Sequence, residues 1–97
     1  MSDLMCQHFL VSGKVQGVFF RACTADKATE IGLTGIVRNL CDGRVEIYAA
    51  GSAQQLSVLN DWLYQGSPAS EVTGVLCAPA GDADSKFFAN GFRVLRD

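Results

Sequence analysis

The chain is poor in histidine, proline and charge, and it has no long apolar run. No stretch approaches the roughly 20 apolar residues that a membrane helix needs, so no membrane partner is expected. His8 is the only histidine, and Cys6, Cys23, Cys41 and Cys77 include no C-x-x-C pair. A zinc site therefore lacks its usual paired ligands, and no metal is expected. An even cysteine count fits a disulfide framework only in a secreted protein. Met1-Ser2-Asp3-Leu4 shows neither the basic nor the apolar region of a secretory signal. The expectation is a cytoplasmic chain with buried free thiols. Eight Lys and Arg against ten Asp and Glu give a net charge of −2. Nucleic-acid binding driven by bulk charge needs a basic excess, so no nucleic acid is expected.

What is present is a compact inventory of elements. The 97 residues, 48% hydrophobic, fit one domain over residues 1–97. No apolar stripe is left over, which predicts a monomer. Cys6 to Ser12 is apolar and β-prone and stops at Gly13, which predicts a first strand. Phe20, Thr24, Ala28 and Ile31 then fall on one helical face, and Gly32 is the C-cap candidate. Gly35 to Asn39 predicts a short strand, and Asp42-Gly43 a hairpin turn. Val45, Ile47 and Ala49 alternate with Glu46 and Tyr48, as in a half-buried strand broken by Gly51. Ser52 and Gln55 form a capping box before Leu56, Leu59, Trp62 and Leu63, a helix ending near Gln65. Glu71 to Ala78 predicts a strand and Pro79 to Lys86 a loop. Phe87 to Leu95 predicts a last strand interrupted at Asn90-Gly91.

This β-α-β-β-α-β order is that of the α+β ferredoxin-like split βαβ sandwich. Right-handed crossovers place both helices on one face of an antiparallel sheet.

The segment between first strand and first helix carries the most chemical information. Gly13 and Gly17 bracket Lys14-Val15-Gln16, and a helix follows at once. A helix start offers unpaired N–H groups and a positive dipole end, and a glycine-bracketed loop can curl its amides round the same anion. Arg21 near that start is unfavourable for the helix by about 0.3–1 kcal/mol. A bound anion turns the penalty into attraction, with bidentate bonding available from the guanidinium. The bland reading is a common glycine turn with a solvated arginine. The loop is not a P-loop, lacking G-x-x-x-x-G-K-[ST], and not a dinucleotide fingerprint, lacking the third glycine. Asn39 shares strand parity with Val37, so it faces the helices if Val37 does. Its amide can hold a water molecule, or it simply begins the next turn. His8, among Phe9, Leu10 and Val11, reads as a strand residue rather than a catalytic one.

Val11-Ser12-Gly13-Lys14-Val15-Gln16-Gly17-Val18-Phe19-Phe20-Arg21 closely matches the run V-x-G-x-V-Q-G-V-x-[FY]-R. Gly32 to Asn39 and Asp42 to Glu46 match a second run, G-[LV]-x-G-[WY]-V-x-N-x-x-D-G-x-V-E. Trp62-Leu63, Gly66-Ser67-Pro68 and Phe92 fit the same pattern, so nearly the whole chain resembles the acylphosphatase family. The resemblance implies the same fold and hydrolysis of small acyl phosphates to a carboxylate and inorganic phosphate. It implies that Arg21 binds the phosphate and that Asn39 positions the attacking water. It also implies a backbone cradle formed by Val15, Gln16, Gly17, Val18, Phe19 and Phe20. Ile36 departs from the pattern where an aromatic residue is usual. Its parity is opposite to that of Asn39, which predicts a surface or stability effect. Leu40 replaces a frequent threonine, which predicts weaker support of Asn39 and slower turnover.

The implied chemistry suits these residues. A carboxylate leaving group needs no general acid, and Arg21 with the amides supplies donors without a metal or cofactor. The expected step is direct attack of water at phosphorus, without a phosphoenzyme. Cys23 is not expected to act as nucleophile, because the arginine precedes the cysteine and the C-x₅-R cradle is absent. A non-catalytic phosphate- or acyl-phosphate-binding module on this fold is the alternative. An RNA-binding sheet of the RRM kind needs exposed aromatics, and Tyr48 is the only one offered by its strand.

Overall fold

The computed structural model describes residues 4–81 and 85–95. The reading of residues 1–3 as lacking a signal, and residues 82–84 of the expected loop, fall outside the described residues. Along the chain come β1 (Met5–Lys14), α1 (Phe20–Ile31), β2 (Thr34–Asn39), β3 (Val45–Gly51), α2 (Ala53–Gln65) and β4 (Glu71–Pro79). A short 3₁₀ turn, Ser85–Phe88, and β5 (Phe92–Val94) follow. The sheet order is β4-β1-β3-β2-β5. The first four strands pair antiparallel, with Phe9 opposite both Ile47 and Cys77 and Val37 opposite Ile47. This is the α+β ferredoxin-like arrangement. No helix among the described residues is long and apolar enough to cross a membrane.

The core follows from strand and helix periodicity. Phe9 and Val11 of β1, Val37 of β2 and Val45, Ile47 and Ala49 of β3 lie on one sheet face. They meet Phe20 and Ala28 of α1 and Leu56, Leu59 and Leu63 of α2. Full burial of each large side chain contributes about 1.5–3 kcal/mol. The capping box forms as the spacing predicts: Gln55 N donates to Ser52 Oγ at 3.1 Å, and Ser52 N donates to Gln55 Oε1 at 2.9 Å. Gly32 closes α1 in the left-handed conformation, its N–H donating to Ala28 O and Thr29 O.

The structure corrects several expectations. β1 does not stop at Gly13 but runs to Lys14 through a bulge between Ser12 and Gly13. Gly13 holds φ 118°, and a Cβ there would lie 2.1 Å from Glu71 O and 2.8 Å from Thr73 N. Only glycine lets the strand bulge this close to its neighbour. The expected last strand is shorter and preceded by the 3₁₀ turn, and β5 joins β2 in parallel. The sheet is therefore mixed rather than wholly antiparallel.

The far face is also partly covered. Phe87 meets Tyr48 at 5.1 Å between ring centroids and lies 5.6 Å under the Arg38 guanidinium. Ile36 is buried, not a surface residue, and β3 is buried on both faces rather than half-buried. Glu46, 8% exposed, bonds His8 Nε2 at 2.8 Å and Arg38 Nε at 2.7 Å. His8 also stacks on Tyr48 at 4.6 Å. His8 is thus a paired strand residue, with a partner 38 positions away. The thiols are free, but only Cys6 and Cys23 are half-buried. Cys41 on the β2–β3 turn and Cys77 on the edge strand β4 are exposed, contrary to the expectation of buried thiols.

Candidate active site

The end of β1, the start of α1 and the end of β2 converge because β1 and β2 both pair with β3. Asn39 lies opposite Val45, and Val45 lies opposite Val11 of β1. The loop that leaves β1 therefore passes beside the end of β2. Between them is a pocket of about 280 Å³ lined by Val15, Gly17, Phe19, Phe20, Arg21 and Asn39. Ala22 and Val94 complete the wall. Two sequence runs separated by about twenty residues thus share one cavity.

The local structure leaves this cavity rich in positive character. The first turn of α1 has no acidic residue and no side-chain cap. Its N-terminal amides and dipole end are not neutralised from within the helix. Among the described residues Arg21 is the only charged one lining the pocket. Its Nη1 donates to Leu95 O at 3.3 Å, so the chain just after β5 helps hold the guanidinium. Asn39 Oδ1 is buried and has no hydrogen-bond partner among the described residues. A buried acceptor left unpaired costs free energy that a donor in the pocket restores.

The loop is anchored from two sides. Gln16 Nε2 spends both its hydrogens, donating to Leu40 O at 2.8 Å and to Arg44 O at 3.0 Å. This bracket joins the loop to the turn that follows Asn39. Ser67 Oγ, buried in the α2–β4 connection, donates to Val18 O at 2.8 Å. Gly17 at φ 74° lets the chain reverse between these anchors. Of the six cradle residues expected, Val15, Gly17, Phe19 and Phe20 line the pocket. Gln16 points its side chain to the turn, and Val18 is turned into the core. Leu40 acts through its backbone: its N–H donates to Arg44 O and its carbonyl accepts from Gly43 N and Gln16. Cys23 does not line the cavity.

The bracket by Gln16, the Ser67 anchor and the Leu95 carbonyl were missed by sequence reasoning. The Gly66-Ser67-Pro68 match marked the second of them and the Val15-Gln16-Gly17 match marked Gln16, but nothing local marked the acceptors of Gln16 or the Leu95 carbonyl. The groups with displaced pKa values lie elsewhere. Hydrogen bonding from Arg44 holds the Asp42 carboxyl below its ordinary range. Burial pushes the Tyr48 hydroxyl and the Cys77 thiol up. Among the described residues no three His, Cys, Asp or Glu side chains cluster. The arrangement offers fixed positive donors for a tetrahedral anion and an unpaired amide oxygen beside them.

A family model described as Acylphosphatase matches residues 7–94. The chain is 47% identical over 81 residues to an acylphosphatase of Halorhodospira halophila, covering 84% of this chain and 88% of that one. It is 46% identical over 88 residues to an acylphosphatase of Xanthomonas campestris pv. campestris, covering 91% of this chain and all of that one. A solved acylphosphatase structure from Coxiella burnetii superposes with a TM-score of 0.86 at 41% identity, covering 96% of this chain and 94% of that one.

Proposed function

Because the chain belongs to the acylphosphatase family, we propose that the pocket between the β1–α1 loop and the end of β2 is where it performs that hydrolysis. The protein hydrolyses the carboxyl–phosphate bond of acyl phosphates. In our reading, Arg21 and the amides of residues 15–20 hold the phosphoryl group, and Asn39 Oδ1 accepts a hydrogen bond from the attacking water. One observation carries this reading: Arg21 and Asn39 line the same cavity, and Asn39 Oδ1 is buried without a hydrogen-bond partner among the described residues.

The step follows from these positions. The water oxygen bonds phosphorus as the bond to the bridging oxygen breaks. An acyl phosphate dianion and water become a carboxylate and dihydrogen phosphate. The leaving carboxylate has a conjugate acid with a pKa of about 4, so it departs without a proton donor. Charge spread over the equatorial oxygens is met by the guanidinium and the amides, which need no reorganisation at that moment. Asn39 contributes alignment of water with the departing oxygen. The reading needs no metal or cofactor and takes residues 1–97 as one domain acting as a cytoplasmic monomer. A single chain supplies every residue it uses.

The test is benzoyl phosphate hydrolysis with excess chelator. Full activity is expected in chelator, with losses of about 10²–10³ in Arg21→Ala and about 10–10² in Asn39→Ala. Cys23→Ser should retain turnover. Near-normal rates in Arg21→Ala, or loss of activity in folded Cys23→Ser, would overturn the assignment.

A further inference from the structure

We propose that Phe19 is the platform for the acyl group, directing the enzyme toward acyl phosphates with apolar and especially aromatic acyl moieties. This rests on the pocket being the phosphoryl site. Phe19 is 82% exposed, although burial is where a phenyl ring stabilises a fold. It is also the only non-glycine residue with positive φ among the described residues, at φ 61° and ψ 19°. That conformation suits glycine or asparagine, and a bulky side chain there is a genuine outlier. Phe19 is the N-cap of α1, a position where a Ser, Thr, Asp or Asn oxygen would accept from a first-turn N–H and phenylalanine offers no acceptor. Neither the turn nor the cap nor the core explains a phenyl ring at this point.

The pocket does give it a use. Phe19 lines the same cavity as Arg21 and Asn39. A substrate held by its phosphoryl end against Arg21 must project its acyl end along the remaining wall. Phe19, Ala22 and Val94 are part of that wall, and among the described residues Arg21 is its only charge. Those three side chains are apolar, and an aryl group can stack on the exposed ring. Outliers of this kind cluster at ligand-binding positions, where surrounding structure holds the strain. Here the loop is held by Gln16 on one side and Ser67 on the other.

The experiment compares kcat/KM for benzoyl phosphate and acetyl phosphate in the wild type, Phe19→Asn and Phe19→Tyr. Asparagine tolerates the left-handed backbone, so the fold is retained while the ring is lost. Tyrosine keeps the ring. The benzoyl-to-acetyl ratio should fall about five- to tenfold in Phe19→Asn and stay within about twofold in Phe19→Tyr. An unchanged ratio in Phe19→Asn, with or without an equal loss on both substrates, overturns the platform. Circular dichroism and inhibition by inorganic phosphate verify that Phe19→Asn is folded and keeps its cradle. Failure of the wild type to hydrolyse either substrate would instead bring down the activity itself, and the platform with it.

Discussion

Replacing Gln16 by alanine isolates the bracket between the β1–α1 loop and the β2–β3 turn. The change removes two hydrogen bonds, of 2.8 and 3.0 Å, to Leu40 O and Arg44 O. Neither acceptor is orphaned: Leu40 O still accepts from Gly43 N, and Arg44 O still accepts from Leu40 N. The cost is therefore the net value of two neutral hydrogen bonds, about 1–3 kcal/mol together, without a desolvation penalty. About 2 kcal/mol lowers Tm by roughly 8–16 °C in a domain of this size. Urea unfolding should show a reduced midpoint at unchanged slope. Turnover should fall further than stability implies, because a displacement of about 1 Å between the proposed cradle and the proposed water-holding amide of Asn39 costs on the order of 10²-fold. Gln16→Glu should be at least as damaging at neutral pH, since a carboxylate cannot donate and faces two carbonyl oxygens. The same carbonyls raise its pKa above the unperturbed value, about 4.3, so protonation restores one donor and partial recovery is expected as pH falls. A Gln16→Ala protein with wild-type urea midpoint and kcat within about twofold would refute this role for the bracket.

Other consequences concern the frame around the site. Gly13→Ala forces a Cβ onto the β4 backbone at a positive φ, and should destabilise by about 1–3 kcal/mol, read from the urea midpoint. Glu46→Gln removes the charge shared by His8 and Arg38 on the face opposite the pocket. It should lower stability by about 1–3 kcal/mol while leaving kcat on benzoyl phosphate within about twofold. The Asp42–Arg44 pair adds acid sensitivity of a definite sign. The folded-state pKa of Asp42 is depressed, so its contribution is present above the ordinary value of 3.8 and is lost as pH falls through the lower folded value. Because both side chains are exposed the effect is small, and Asp42→Asn should flatten the stability profile only at the acid end.

Where local chemistry decides structure, the chain is legible. Phe20, Thr24 and Ala28 form the buried face of α1, and Ser52 with Gln55 caps α2, because helical spacing and capping act over a few residues. The split βαβ order follows from the same local signals. What could not be read depends on partners distant along the chain. Phe87 looks like a strand residue, yet tertiary packing against Tyr48 and Arg38 places it in a 3₁₀ turn. Ile36, on the same sheet face as Tyr48 and Arg38, is buried although strand parity alone would leave it at the surface. Gly13 reads as a strand terminator until its approach to Glu71 shows a bulge.

The site divides in the same manner. Arg21 and Asn39 are visible as residue types near a helix start and a strand end. Their meeting in one cavity depends on β1 and β2 flanking β3, which the topology supplies. The side-chain bracket of Gln16 spans 24 and 28 positions, and no local pattern marks its acceptors.

The most direct measurement is competitive inhibition by inorganic phosphate, taken beside kcat in Arg21→Ala and Asn39→Ala. If the guanidinium holds the phosphoryl group and the amide aims the water, Arg21→Ala raises the inhibition constant at least about tenfold. Asn39→Ala leaves that constant within about threefold while lowering kcat by about 10–10². Unaltered phosphate affinity in Arg21→Ala, or equal loss of affinity and turnover in Asn39→Ala, would contradict the division of labour on which the mechanism depends.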